Sequence, residues 1–84
     1  MELEDSNGAI TQPRSASEIA EMIDRLGKGI DHCILSDGDL FLQAAGSDPE
    51  VIVQYGDGSN LYEASSTLPG ATVKDLFRAF YEGD

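Results

Sequence analysis

The chain has 84 residues, which is enough for one small domain and leaves little room for a second core. Its formal net charge is −11, from 16 acidic and 5 basic residues. This balance argues against binding to nucleic acids or anionic membranes, because both require a positive protein surface. Two interpretations of the acidic charge stay open: it keeps a small protein soluble, or it attracts a basic protein partner.

Targeting signals and cysteine content give a simple expectation for the location of the protein. No apolar run approaches the roughly 20 residues that a membrane-spanning helix needs. The acidic start of the sequence has no apolar stretch, so we do not expect it to act as a signal peptide. Cys33 is the single cysteine and has no partner for an internal disulfide. A reducing, cytoplasmic location is therefore predicted.

Residues 1–14 carry little apolar content and no periodicity. Their acidic and small polar residues are typical of a flexible segment. We therefore predict a flexible acidic N-terminal arm over residues 1–14 and a single α+β domain over residues 15–84.

The first predicted element of that domain is a helix over residues 16–27. Ser15 and Glu18 have the spacing of a capping box, in which each side chain bonds to a backbone amide at the helix start. Apolar residues then recur at the spacing of one helix face: Ile19, Met22, Ile23 and Leu26.

Four short segments of alternating polarity follow the helix and predict strands: "DHCILS", "DLFLQAA", "EVIVQY" and the shorter "NLYEA". Asp37-Gly38, "GSDP" and "GDGS" separate them, and these residue types favour tight turns. Connections this short cannot hold a parallel crossover, so an antiparallel meander of three to four strands is expected.

A second helix is predicted over residues 73–81, at the end of the chain. Thr72 and Asp75 form a weaker capping pair at its start. Its apolar face consists of Val73, Leu76, Phe77 and Phe80. The resulting order α-β-β-β-β-α predicts a two-layer α+β sandwich with both helices on one face of the sheet.

The two faces of the predicted sheet differ in composition, because alternate strand residues point to opposite sides. One face is almost wholly apolar and is expected beneath the helices: Cys33, Leu35, Leu40, Leu42, Ala44, Val51, Val53 and Tyr55. The other face mixes large apolar with uncharged polar groups: His32, Ile34, Phe41, Gln43, Ile52, Gln54 and Tyr62. No element of the domain is left to cover this second face.

The residue types needed for metal binding or catalysis are not found at suitable spacing. Asp37 and Asp39 resemble the start of a calcium loop, but Phe41 and Leu42 stand where that loop needs an oxygen ligand and a glycine. His32 and Cys33 are adjacent in a strand, so they point to opposite faces and cannot act as a catalytic pair. We expect no enzyme activity, no metal and no cofactor.

Charge is distributed unevenly along the chain. All five basic residues lie in or beside the predicted helices, and between Gly29 and Val73 there are seven acidic residues and no lysine or arginine. An apolar centre with an acidic rim predicts a protein-binding surface. The candidate partner-binding residues are His32, Ile34, Asp37, Asp39, Phe41, Gln43, Ile52, Gln54, Asp57 and Tyr62. A homodimer through the same face is the rival interpretation, although like charges at its rim would oppose self-association.

Two longer stretches, "DLFLQAAGSDPEVIVQY" and the ending "TVKDLFRAFYEGD", support a family resemblance. From about Asp31 onward, the chain resembles small bacterial immunity-type proteins, which neutralise polymorphic or contact-delivered toxins. The resemblance implies inhibition by binding, with an acidic surface that blocks the active site or substrate channel of a basic nuclease-like or deaminase-like toxin. It implies no catalytic residues. A small self-associating structural domain remains the alternative function.

Overall fold

Two α-helices pack on one face of a six-stranded antiparallel sheet in the computed structural model, which describes residues 1–83. In chain order the elements are β1 (Glu2–Asp5), β2 (Ile10–Thr11), α1 (Ala16–Asp24), β3 (His32–Asp37), β4 (Leu40–Ser47), β5 (Glu50–Gly56), β6 (Leu61–Glu63) and α2 (Gly70–Glu82). The predicted α+β class is therefore confirmed. Within residues 1–83, neither helix is both long and apolar enough to cross a membrane.

The strand order across the sheet is β2-β1-β3-β4-β5-β6. Strands β3 to β6 pair antiparallel with their sequence neighbours, which confirms the predicted meander. Asp37 and Leu40 are paired across the first turn, so Gly38 and Asp39 form a two-residue hairpin loop. Gly38 has a φ of 62°, a conformation that glycine adopts without steric cost.

The prediction of a flexible arm over residues 1–14 is wrong, because this segment supplies two strands. Strand β1 pairs with β3 from Glu2↔Ser36 to Asp5↔Cys33, which places it inside the sheet. Leu3 is buried in the core, and the buried Asp5 accepts hydrogen bonds from the amides of Asn7 (2.8 Å) and Ala9 (3.2 Å). The sheet therefore has six strands, and two of them precede the first helix.

Helix α1 begins as predicted and ends earlier. The Ser15 hydroxyl accepts a hydrogen bond from the Glu18 amide at 3.4 Å, while the Glu18 carboxylate accepts one from the Arg14 amide at 2.6 Å. The helix stops at Asp24, three residues before the predicted end. The Gly27 amide instead donates to the carbonyl of Ile30 at 2.8 Å, which turns the chain towards β3.

Helix α2 begins at Gly70, three residues before the predicted start. Its N-cap residue is Pro69, which has no side chain that can accept a hydrogen bond, so the predicted Thr72 and Asp75 capping pair is wrong. The Asp48 carboxylate accepts a hydrogen bond from the Gly70 amide at 2.6 Å. The turn between β4 and β5 therefore caps a helix that lies 22 positions further along the chain.

The core lies between the helices and the sheet, on the face predicted from the alternation. It consists of Leu3, Ile19, Ile23, Leu26, Ile30, Cys33, Leu35, Leu42, Ala44, Val51, Val53, Val73 and Phe77. Tyr55 packs against this cluster. Leu40 was expected there too, but its side chain is 39% exposed because it lies at the first position of β4, next to the hairpin loop.

Candidate protein-binding face

The second face of the sheet is covered by no helix within residues 1–83, and we call it the open face. The strand register arranges its residues in rows that run across the sheet. The longest row crosses all six strands and contains Ile10, Glu4, Ile34, Gln43, Gln54 and Glu63. A second row contains Glu2, Ser36, Phe41, Gly56 and Leu61, and a third contains His32, Ala45 and Ile52.

Six of the ten candidate partner-binding residues share this open face. They are His32, Ile34, Phe41, Gln43, Ile52 and Gln54. Ile52 is 44% exposed, although it lies in the second-last strand of the sheet. Ile34 and Phe41 on the neighbouring strands are partly buried on the same face. Several apolar side chains on one face, rather than a single exposed one, indicate an interaction surface.

Tyr62 does not lie on the open face, and its assignment to that face is wrong. It pairs directly with Tyr55, whose side chain points to the helices. The two rings stack with centroids 6.1 Å apart, and Tyr55 makes an edge contact with Phe80 of α2 at 6.5 Å. The Asp57 amide donates to the Asn60 carbonyl and closes the turn so that the register places Tyr62 opposite Tyr55.

Phe41 is held against the sheet by its neighbour across the strands. It pairs with Gly56, and a Cβ atom at Gly56 would overlap the Phe41 ring. The glycine therefore leaves room for the ring to lie flat over β5. This contact explains why Phe41 is only half-exposed and why Gly56 is buried.

The polar side chains of the open face include one fixed pair. The Gln54 side-chain amide donates to the Glu63 carboxylate at 2.8 Å, across β5 and β6. This bond holds a negative charge on the face at the edge of the sheet. Glu2 and Glu4 place two further carboxylates on β1, at the opposite side of the face from Glu63.

The three candidate turn residues lie together at one end of the sheet. Asp37 is the last residue of β3, Asp39 lies in the β3–β4 turn, and Asp57 lies in the β5–β6 turn. The turns touch, since a Cβ atom at Gly58 would be 3.0 Å from that of Asp39. Asp57 has a structural role as well: it accepts hydrogen bonds from the amides of Asn60 (2.8 Å) and Ser59 (3.0 Å).

These two amide hydrogen bonds favour the charged form of the Asp57 side chain. They lower the pKa of Asp57 below its ordinary value, with the Asn60 amide making the larger contribution. The acidic end of the sheet therefore keeps this negative charge under mildly acidic conditions.

All five basic residues lie away from the open face. Lys74 and Arg78 are in α2, where they form ion pairs with Asp24 and Asp75. The other three, Arg14, Arg25 and Lys28, are in the segments that flank α1. The molecule is therefore electrostatically asymmetric, with mixed charges on the helical side and only acidic charges among the strand residues of the open face.

The structure adds several residues to the open face that sequence reasoning missed. Glu2, Glu4 and Ile10 come from the two N-terminal strands. The others come from β3, β4 and β6, and they are Ser36, Ala45, Leu61 and Glu63. The alternation in "ELED" is a signal that could have indicated β1, since Leu3 faces the core and both glutamates face outward.

The geometry of the cysteine and histidine agrees with the sequence analysis. Cys33 is fully buried on the helix side, while His32 lies on the open face, so their side chains are separated by the sheet. Burial, with a smaller contribution from the charge of Asp5, raises the pKa of the Cys33 thiol to about 12. Among residues 1–83, no three His, Cys, Asp or Glu side chains are grouped so that they could hold a metal ion.

No protein-family model, no curated protein and no solved structure matches this chain. The resemblance to immunity-type proteins therefore stays a prediction from the sequence.

Proposed function

We propose that this chain is a non-catalytic binding protein whose open face contacts a basic protein. The observation that carries the proposal is the composition of that face. Ile34, Phe41 and Ile52 lie on the adjacent strands β3, β4 and β5, and carboxylates flank them on β1 and β6. Gln43 and Gln54 lie between these three residues, so the centre of the face is uncharged and mixes apolar with polar groups. A centre without charges and a polar rim are the usual layout of a protein–protein interface.

The acidic rim supports a basic partner over a neutral one. Glu2, Glu4 and Glu63 lie on the open face, and Asp37, Asp39 and Asp57 lie at its end. A surface with one sign of charge accelerates association with an oppositely charged partner, and salt screens this effect. We therefore expect the association rate with the partner to fall as ionic strength rises.

The inhibitory role is the finer part of the proposal and rests on the resemblance to immunity-type proteins. In this role the open face covers the active site or substrate channel of a basic toxin. The product of an adjacent gene is the partner to test, because immunity genes lie beside the genes of their toxins. Co-expression of this chain is expected to restore the growth of cells that produce that protein. Unchanged growth arrest, with both proteins present in soluble form, would contradict the inhibitory role.

Charge reversal tests which surface binds the partner. The variant E4K/D37K changes the open face and its acidic end, whereas the matched control E21K/E82K makes the same change of charge on the helical side. We expect E4K/D37K to weaken binding by about tenfold or more and E21K/E82K to have a small effect. Equal effects of the two variants, measured by calorimetry, would show that the open face is not the interface.

Self-association is the alternative function, because Ile52 and Leu61 are exposed on the open face. Two copies meeting through this face would bring the glutamates of β1 and β6 towards one another, and that repulsion opposes the dimer. Sedimentation distinguishes the two functions. We expect a monomer at high micromolar concentration, and a dimer that is lost on Ile52→Lys substitution would favour the alternative.

A further inference from the structure

The outer edge of β6 offers backbone hydrogen-bonding groups to another chain. In an antiparallel ladder, residue pairs that exchange hydrogen bonds alternate with pairs whose amides and carbonyls point outward. The Asp57 amide donates to the Asn60 carbonyl at 3.2 Å, and the Ala64 amide donates to the Val53 carbonyl at 3.0 Å. These two bonds establish which residues of β6 face β5.

Leu61 and Glu63 occupy the alternate positions. They pair with Gly56 and Gln54, between the hydrogen-bonded positions, so their amides and carbonyls point away from β5. Because β6 is the last strand of the sheet, these groups face solvent. The outward amide and carbonyl of Leu61 and those of Glu63 are two residues apart. An added antiparallel strand forms its hydrogen bonds at this spacing.

The opposite edge of the sheet is less suitable for strand pairing. The Asp5 amide donates to the Ala9 carbonyl at 3.1 Å, so Ile10 is the one β2 residue whose backbone groups point outward. Strand β6 therefore offers two outward-pointing amide–carbonyl pairs, whereas β2 offers one. The difference between the two edges makes β6 the preferred place for another strand.

The side chains along β6 provide apolar contact on both faces of the sheet. Leu61 is 60% exposed on the open face, and Tyr62 is 52% exposed on the helix side. Tyr62 is supported by its stacking on Tyr55, so its ring forms a fixed platform for a neighbouring side chain. Strand β6 carries neither lysine nor proline, two of the residues with which natural proteins block pairing at sheet edges.

We propose that the β6 edge pairs with an extended basic segment of the partner protein. This inference rests on the proposed function and adds how the partner is held. The charge of the edge selects the occupant: Glu63 lies on β6, Asp57 lies in the preceding turn, and no lysine or arginine occurs between Gly29 and Val73. Alternating lysines on the added strand would lie beside Glu63, while the intervening apolar residues would contact Tyr62.

A second copy of the chain fits this edge less well. Pairing of two β6 edges would join two molecules that each carry a net charge of −11. In antiparallel pairing it would also bring Glu63 of each copy towards the acidic Asp57 turn of the other, whereas a basic segment neutralises these charges. A basic segment is therefore the favoured occupant.

The test uses a nine-residue probe peptide of alternating lysine and valine, added to the full chain labelled with ¹⁵N. The amides of Leu61 and Glu63 are expected to exchange rapidly with solvent in the protein alone, because they point outward. Saturation with the peptide should slow their exchange by about tenfold. A control peptide has the same sequence but carries N-methyl groups on the alternate residues whose amides would face β6. It should not slow the exchange of Leu61 and Glu63, because it lacks the required donors.

Glu63→Pro provides the matched variant, because it removes an outward-pointing amide and leaves the inward hydrogen bonds of β6 intact. Glu63→Gln removes the charge and keeps the amide. We expect Glu63→Pro to abolish the protection of Leu61 and Glu63→Gln to retain most of it. An unchanged spectrum outside β6 confirms that the proline variant is folded.

The outcomes separate this inference from the proposed function. Peptide-induced shifts confined to Ile34, Gln43 and Gln54 would overturn pairing at the edge and leave the open face as the binding surface. Absence of protection at millimolar peptide, or equal protection by the N-methylated peptide, would also overturn the inference. Protection of Leu61 that increases with protein concentration alone, with a dimer mass, would show that a second copy is the occupant and would overturn the basic segment.

Discussion

Gly56 and Phe41 show how a single pair of residues shapes the open face. The absence of a Cβ atom at Gly56 allows the Phe41 ring to lie over β5. The sequence does not predict the contact between Gly56 and the Phe41 ring. It depends on the β4–β5 register, which brings together two residues 15 positions apart. The sequence placed Phe41 on the correct face and gave no indication of its neighbour.

Gly56→Ala is expected to destabilise the protein by about 1–2 kcal/mol, because the added methyl group displaces the Phe41 ring. In a Phe41→Ala background the same substitution should be neutral or slightly stabilising, since alanine loses less backbone entropy than glycine on folding. Urea unfolding of the four proteins measures the coupling. An equal cost of Gly56→Ala in both backgrounds would contradict the contact.

Cys33 makes the stability of the protein depend on pH under alkaline conditions. Its pKa is about 12 in the folded chain against an ordinary value of 9.0, so the folded state holds the thiol proton more tightly than the unfolded state. This contribution to stability is complete below pH 9 and is lost as the pH rises towards 12. We expect the unfolding free energy to fall over that range more steeply than in Cys33→Ala, as measured by urea unfolding. Parallel profiles for the two proteins would contradict the assignment.

At the scale of elements, hydrophobic periodicity predicted the middle and end of the chain well. Both helices and strands β3 to β6 were identified, because each carries several apolar residues at a clear spacing. Strands β1 and β2 were missed for a physical reason. Strand β1 has one buried apolar residue, Leu3, and is stabilised by pairing on both sides and by the hydrogen bonds to Asp5. Such tertiary interactions leave little pattern in a four-residue segment.

The helix ends were less predictable than the helices, because distant residues determine them. The N-terminus of α2 depends on Asp48, and no local motif indicates a cap from the β4–β5 turn. The three-residue extension of α2 beyond its predicted start follows from this contact. Helix boundaries set by tertiary hydrogen bonds cannot be derived from periodicity alone.

Asp48→Ala is expected to cost about 1 kcal/mol of stability, because it leaves the Gly70 amide without its acceptor. Asp48→Asn should cost less, since the amide oxygen of asparagine can accept the same hydrogen bond. Urea denaturation, followed by far-ultraviolet circular dichroism, measures both variants. The capping role would be contradicted if Asp48→Ala were as stable as the wild-type protein.

For the molecule as a whole, the sequence predicts the distribution of charge. It predicts only some of the residues that form the open face. The absence of lysine and arginine between Gly29 and Val73 correctly indicated an acidic sheet region. The extent of the open face could not be predicted, because Glu2, Glu4 and Ile10 enter it through strands that were not identified. The register of β6 likewise decided that Leu61, and not Tyr62, lies there.

The six isoleucines of the chain can show whether the open face is the surface that binds a basic protein. Ile10, Ile34 and Ile52 lie on that face, whereas the other three are buried in the core: Ile19, Ile23 and Ile30. The measurement is a titration of the chain, labelled with ¹³C in its isoleucine methyl groups, with the product of the adjacent gene, which is the proposed basic partner. We expect the signals of Ile34 and Ile52 to shift strongly while those of the core isoleucines stay in place. Binding that leaves the signals of Ile34 and Ile52 unchanged would show that the open face is not the binding surface.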